Sequence, residues 1–280
     1  MIQRIRCRAA LLALAGVLVA SPVWAEDPPA ADAASDAAER EKAIEAAIKA
    51  HTDETKALLR ESADFLAAQP KLAFKAHVGF DVVQLNGQKL AFGATRDITL
   101  RRPDHFRVDA EQRDGGRRTL FFDGEQISVD LPDENAYVAV KKPGTLDAAI
   151  AYLVDDLGTP APLHDFVSSN FYTHAKDNIR SGFYVEEETI GERTCHHLAF
   201  RTDAVDVQIW IEDGDRPLPC SLVITYKREE ASPQFWAQFH DWNLSPKAPD
   251  ELFAYTPPEG AEKLSIQTAV QEIRDEVEGQ

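Results

Sequence analysis

The chain has 280 residues, 44% of them hydrophobic, and carries 30 Lys and Arg against 47 Asp and Glu. The apolar share is enough for a sizeable core. The formal charge of −17 argues against nucleic acid, which rewards clustered cations, and against steady residence on an anionic lipid surface.

The first 25 residues are built as a secretory leader. Arg4, Arg6 and Arg8 supply positive charge, and Ala9 to Ala20 form an apolar run shorter than the roughly 20 residues that cross a bilayer. Ser21-Pro22 breaks the run, and Val23 and Ala25 place short side chains at the two positions a signal peptidase reads. Cleavage after Ala25 predicts a periplasmic mature chain. Since the leader holds three Arg and no acid, that chain has a formal charge of −20. Cys7 precedes the apolar run, so it is not placed to carry a lipid anchor.

Residues 26–38 are mostly Pro, Ala and acid, which predicts a disordered spacer. From 39 to 68, Ile44, Ile48, Leu58, Leu59, Phe65 and Leu66 fall on one stripe of a helix that Gln69-Pro70 ends. The period then switches to two. Leu72, Phe74, Ala76, Val78, Phe80 and Val82 alternate with polar residues, and Asn86-Gly87 is a hairpin signal. Leu90, Phe92, Ala94, Ile98 and Leu100 return with the same alternation. Further strands are predicted at 105–112 (Phe106, Val108), 117–122 (Leu120, Phe122), 126–131, 136–141 and 182–190. A three-stranded meander follows at 194–201 (Leu198, Phe200), 205–212 and 218–227, then strands at 234–243 and 251–255.

One segment breaks the pattern. Leu146, Ala149, Ile150, Leu153, Val154 and Leu157 have helical spacing behind a capping Thr145, and 163–171 reads as a second short helix after Pro160 and Pro162. The reading is one α+β domain over 39–265: a single strongly curved antiparallel sheet of ten or eleven strands, a long N-terminal helix and a helical lid. An acidic tail over 266–280 follows. An open sheet of that size curls, and with a lid it encloses a space. Phe74, Val78, Phe80, Leu90, Phe92, Leu100, Phe106, Val108, Leu120, Phe122, Leu198 and Phe200 would line its sheet side, and Leu146, Ile150, Leu153 and Val154 its lid. The pattern leaves open whether that space holds a ligand or is filled by its own side chains.

Cys195 and Cys220 fall on the first and third strands of the meander, two sheet spacings or about 9.6 Å apart. A bridge needs Cα atoms within about 7 Å, so no disulfide is expected.

Four stretches resemble the LolA/LolB superfamily of periplasmic lipoprotein carriers. They are Arg102-Pro103 with Phe106-Arg107, the hairpin Phe122-Asp123-Gly124-Glu125-Gln126-Ile127, Arg216-Pro217-Leu218-Pro219 leading into Leu222-Val223-Ile224, and Phe253-Ala254-Tyr255-Thr256-Pro257-Pro258-Glu259-Gly260-Ala261. Around Cys195-His196-His197-Leu198 and Ile209-Trp210-Ile211-Glu212 the chain is similar to a family of predicted periplasmic proteins with that fold. The resemblance implies an unclosed β-barrel with a helical lid whose apolar concavity holds acyl chains or another lipophilic ligand. It does not imply lipoprotein transport, because the 143–181 excursion is long for a carrier.

Chemistry in the sequence is sparse. His196 and His197 are strand neighbours that point to opposite faces, so they do not share a metal ion. Glu186-Glu187-Glu188 reads as a solvated face, Asp155-Asp156 closes a helix, and Phe235, Trp236, Phe239 and Trp242 read as packing. Arg96, Arg101, Arg102, Arg107 and Arg113 are the main basic concentration. Arg102 and Arg107 are the candidates for a cavity mouth, holding the lid or receiving a head group. No enzyme, cofactor or metal is expected. The first reading is a monomeric periplasmic binder or carrier of a lipophilic small molecule, a lipid or lipoprotein acyl chains. The alternative is a non-enzymatic envelope interaction or sensor module with a filled cavity, docking another envelope protein.

Overall fold

The computed structural model describes residues 30–159 and 161–271, with side-chain surroundings from residue 39 onward. The leader, its cleavage site and the last nine residues of the predicted tail lie outside the described residues.

Helix α1 (Ala30–Ala67) begins inside the stretch read as a spacer. Alanine at 31, 33, 34, 37 and 38 makes that stretch a good helix former once a helix follows it. Eleven antiparallel strands come next: β1 (Lys71–Val83), β2 (Lys89–Arg101), β3 (His105–Gln112), β4 (Arg117–Phe122), β5 (Gln126–Leu131), β6 (Ala136–Lys141), β7 (Ser181–Ile190), β8 (Arg193–Arg201), β9 (Val205–Glu212), β10 (Pro219–Tyr226) and β11 (Gln234–Asn243). A two-residue β12 (Glu262–Lys263) pairs parallel to β6. The sheet runs β12-β6-β5-β4-β3-β2-β1-β11-β10-β9-β8-β7, so two meanders meet at the β1–β11 seam and the sheet is unclosed.

The expected strand at 251–255 is instead a 3-10 turn, Asp250–Leu252. Prolines on both sides leave too short a run for a ladder. Arg101 holds the turn from outside by donating to the Ala248 carbonyl at 2.9 Å and to Asp250 at 2.6 Å. Residues 266–271 are helical, and Ile266, Ala269 and Val270 pack on Val129, Leu131, Ala136 and Val138.

Between β6 and β7 the excursion is a chain of short pieces. Thr145 caps α2 (Leu146–Ala151) by accepting from the Ala148 amide, a π turn covers Tyr152–Asp156, a 3-10 turn covers His164–Phe166, and α3 spans Phe171–Ala175. The single helix expected over 163–171 does not form, because its middle serves another partner. Asp147 accepts from the Ser169 amide at 2.8 Å and from both the Ser168 and Ser169 hydroxyls, drawing that backbone out of helical pairing.

The expectation for the cysteines is overturned: Cys195 and Cys220 form a disulfide, with Cα atoms 6.8 Å apart. The two-spacing estimate assumed flat, regular strands. Here β10 carries a register shift between Pro219 and Ser221, where Cys220 sits, and the coiled sheet shortens the distance across β9.

Candidate ligand-binding face

The inward residues of β1 set the face. Phe74, Ala76 and Val78 are buried, and across the β1–β2 ladder Phe74 meets Ile98 and Val78 meets Ala94. Leu100, Phe106, Phe122, Leu198 and Phe200 join them in one buried cluster, with Phe80, Val108 and Leu120 half-buried against it. Leu90 and Phe92 lie on the same face, paired with Val82 and Phe80, yet are 38% and 47% exposed. From the excursion, Leu146 and Ile150 are buried in this cluster while Leu153 and Val154 pack at its margin.

The lining expected from strand alternation and the excursion does not include α1. Leu59 and Leu66 enter the same cluster, so the long helix fills much of the concavity alongside the excursion. Ser62 donates to the Pro217 carbonyl at 2.7 Å, and the Gly182 amide donates to Thr52 at 2.9 Å, tying the helix across β7 to β10. The helix stripe was legible, but its partner surface was not. Phe235 and Phe239 of β11 also face inward, Phe239 lying 4.9 Å (ring centroids) from Phe166 of the excursion. Trp242 stacks on Phe74 at 4.4 Å and donates to the Pro219 carbonyl.

The two arginines separate. Arg107 follows inward Phe106 on a strand, so it points to the other face. There it bonds both Asp109 oxygens at 2.7 Å and lies 4.9 Å from the Phe121 ring, which corrects its assignment to the mouth. Those bonds raise its pKa. Arg102 has no such partner among the described residues: its Nε and Nη2 are buried without a hydrogen bond. Burial lowers its pKa, opposed by the Asp147 charge. The Pro103 carbonyl beside it accepts from the Leu146 amide at 2.8 Å, so Arg102 lies where the excursion is pinned to the sheet.

The histidines have separate surroundings. His197 is buried, stacks on Trp210 at 4.0 Å and bonds Glu188 and Gln208. His196 links Tyr184 to Asp213. The Tyr184 hydroxyl has its pKa raised by burial and by Glu187 and Asp213, the opposite of an activated nucleophile. Among the described residues no group of three metal-ligating side chains converges, and no helix is long and apolar enough to cross a membrane.

Comparison with curated proteins finds no match. Among solved structures, the chain is similar to the lipoprotein LppX of Mycobacterium tuberculosis (14% identity, 70% of this chain and 98% of that one, TM-score 0.45). It is also similar to LprF of Mycobacterium bovis (12%, 75% and 98%, 0.42) and to the LolA superfamily protein NE2245 of Nitrosomonas europaea (11%, 72% and 97%, 0.37). A family model matches residues 55–267, and the chain belongs to that family, the predicted periplasmic proteins DUF2092.

Proposed function

We propose that this protein is a periplasmic carrier of a lipophilic ligand, exported by a leader cleaved after Ala25, and that the ligand lies on the concave sheet face in place of the excursion. The observation that carries the reading is the continuity of that face. It is buried at Phe74 and Val78, half-buried at Phe80, and open at Leu90 and Phe92, where the Phe80 and Phe92 rings lie 6.0 Å apart. An acyl chain arriving at the open end gains about 0.8 kcal/mol per buried methylene without any polar contact. Displacing the excursion gives up the burial of Leu146, Ile150 and Phe166, which the ligand has to replace by covering the same face; its helices are six and five residues long, and it is pinned by bonds around Asp147 and Pro103. Arg102 stands at that pin with two buried donors to offer a head group or a displaced carbonyl. Release requires a partner offering equal burial. Nothing in this scheme calls for bond-breaking chemistry.

A second reading, an envelope interaction module with a filled concavity, is favoured by one observation. Leu59 and Leu66 of α1 and Leu146 and Ile150 of the excursion are buried in the same cluster as the inward sheet residues, so the chain's own side chains pack on that face. Native mass spectrometry of mature protein prepared from periplasm without detergent separates the two. A bound mass lost on lipid extraction supports the carrier. A ligand-free mass with no uptake of fluorescent fatty acid refutes it.

A further inference from the structure

The acids of the first six strands are sorted to one side of the sheet. With Phe74 and Leu100 inward, the ladders from β1 to β6 turn Asp81, Asp97, Asp109, Glu111 and Asp130 to the convex face. Among the described residues, no inward position of these strands carries a carboxylate. Two carry arginine. Arg96 of β2 and Arg118 of β4 stand level on the concave face, each paired with Ala110 of β3 between them. Their backbones are two strand spacings, about 9.6 Å, apart. The side chain between them is a single methyl group, so an oxyanion above Ala110 is within reach of both guanidinium groups. Gln112, the next inward residue of β3, brings an amide to the same place. All three polar side chains are half-buried, and Arg96 donates to a neutral acceptor, the Thr95 carbonyl, at 3.2 Å.

This sorting decides the chemistry of the cargo, on the reading that a lipophilic ligand lies on the concave face. Covering two guanidinium groups takes them out of water, which is costly unless an opposite charge arrives with the cover. A ligand that spreads over this rung displaces whatever lies there, so the counter-charge has to be its own. A triacylglycerol or a wax ester supplies none. A carboxylate or a phosphate accepts from both groups in the forked geometry that arginine offers. We propose that the cargo is an anionic amphiphile whose oxyanion is held between Arg96 and Arg118 over Ala110, with Gln112 donating beside them. The negative charge of the rest of the chain disfavours anions elsewhere on its surface, which makes this rung selective. Arg102 is a separate feature. It lies six residues beyond Arg96, about 20 Å along the strand direction, where the excursion is pinned, and is left for a displaced carbonyl.

The test is competition, on the whole mature chain, against the neutral fluorescent probe N-phenyl-1-naphthylamine. Laurate and dodecyl phosphate are compared with methyl laurate and dodecanol, which share the chain length and lack the charge. The anions are expected to bind at least about tenfold more tightly, and the tighter of the two tells whether the natural head is a carboxylate or a phosphate. R96Q/R118Q should bring the anions down to the level of the neutral pair. The neutral pair and the probe should bind it as before, which also shows that the variant is folded. R117Q/K141Q, which removes two exposed cations from the convex side, should change nothing. Equal binding of anions and neutral lipids by the parent, a comparison that needs no variant, overturns the assignment and leaves the carrier reading standing. So does a preference that survives R96Q/R118Q or that disappears equally in R117Q/K141Q. Failure of the probe and of all four ligands to bind refutes the carrier reading and this assignment with it.

Discussion

Removing the Cys195–Cys220 bridge by replacing both residues with Ala is expected to destabilise the protein substantially. The bridge joins residues 25 apart, and a loop of that length restricts the unfolded chain by about 3.5 kcal/mol at 25 °C in the chain-entropy account. Both cysteines are fully buried, so Ala is preferable to Ser, which would leave a buried hydroxyl. The unbridged chain also unfolds to a more exposed state, so the denaturant dependence should steepen. The assay is guanidinium unfolding followed by tryptophan fluorescence, comparing the oxidised parent with C195A/C220A. A loss of about 3–4 kcal/mol with a larger m-value is expected. A loss below about 1 kcal/mol with unchanged m would refute the reasoning, because the meander would then hold these positions together without the bridge.

Phe92→Asp tests the carrier reading without disturbing the core: the side chain is 47% exposed, so stability should change by no more than about 0.5 kcal/mol while co-purifying lipid is lost. Ile150→Asp buries a charge at an 8% exposed position, and its melting temperature should fall sharply; full lipid content in Phe92→Asp would contradict the reading. At Gly79 an added Cβ would stand 2.2 Å from the Trp236 ring, so Gly79→Val should cost about 1–3 kcal/mol, with a double-mutant cycle against Trp236→Ala showing strong coupling. Asp206 is held at about 2 by hydrogen bonds from Arg201 and Lys227. A depressed carboxylate contributes stability that is present above its ordinary 3.8 and lost as pH falls toward 2. With the side chain 31% exposed, Asp206→Asn should lose at most about 1 kcal/mol at neutral pH and match the parent near pH 2, checked by urea melts at both.

Alternation of two made the strands legible one by one: Phe74, Val78 and Leu100 needed no more than their spacing, and each proved buried. What spacing omits is the third dimension. The concentration of arginines put Arg107 at the mouth, although alternation with inward Phe106 turns it to the other face, and the cysteines were judged by a flat sheet when a bulge at Cys220 and coiling bring them into reach. The helix predicted at 163–171 failed for a similar reason. Ser168 and Ser169 are tied to Asp147, some twenty positions earlier, a partner that no local window contains. The role of α1 was hidden because a helical stripe records that a face is covered, not by what.

The seam at the middle of the sheet has a consequence for how the chain reaches this state. Strands β1 to β6 are joined to their neighbours by short connections, as are β7 to β11, but β1 must find β11, where Phe80 sits opposite Phe235. Contacts this distant in sequence are slow to form. A chain appearing N-terminus first therefore presents β1 as an unsatisfied edge, rich in Phe and Val, until almost the whole domain has been made. The disulfide lies wholly within the later meander, so oxidation can precede closure of the seam. The period of greatest vulnerability to misassembly and proteolysis should thus be the interval before β11 docks, and the first half alone should be a client for chaperones.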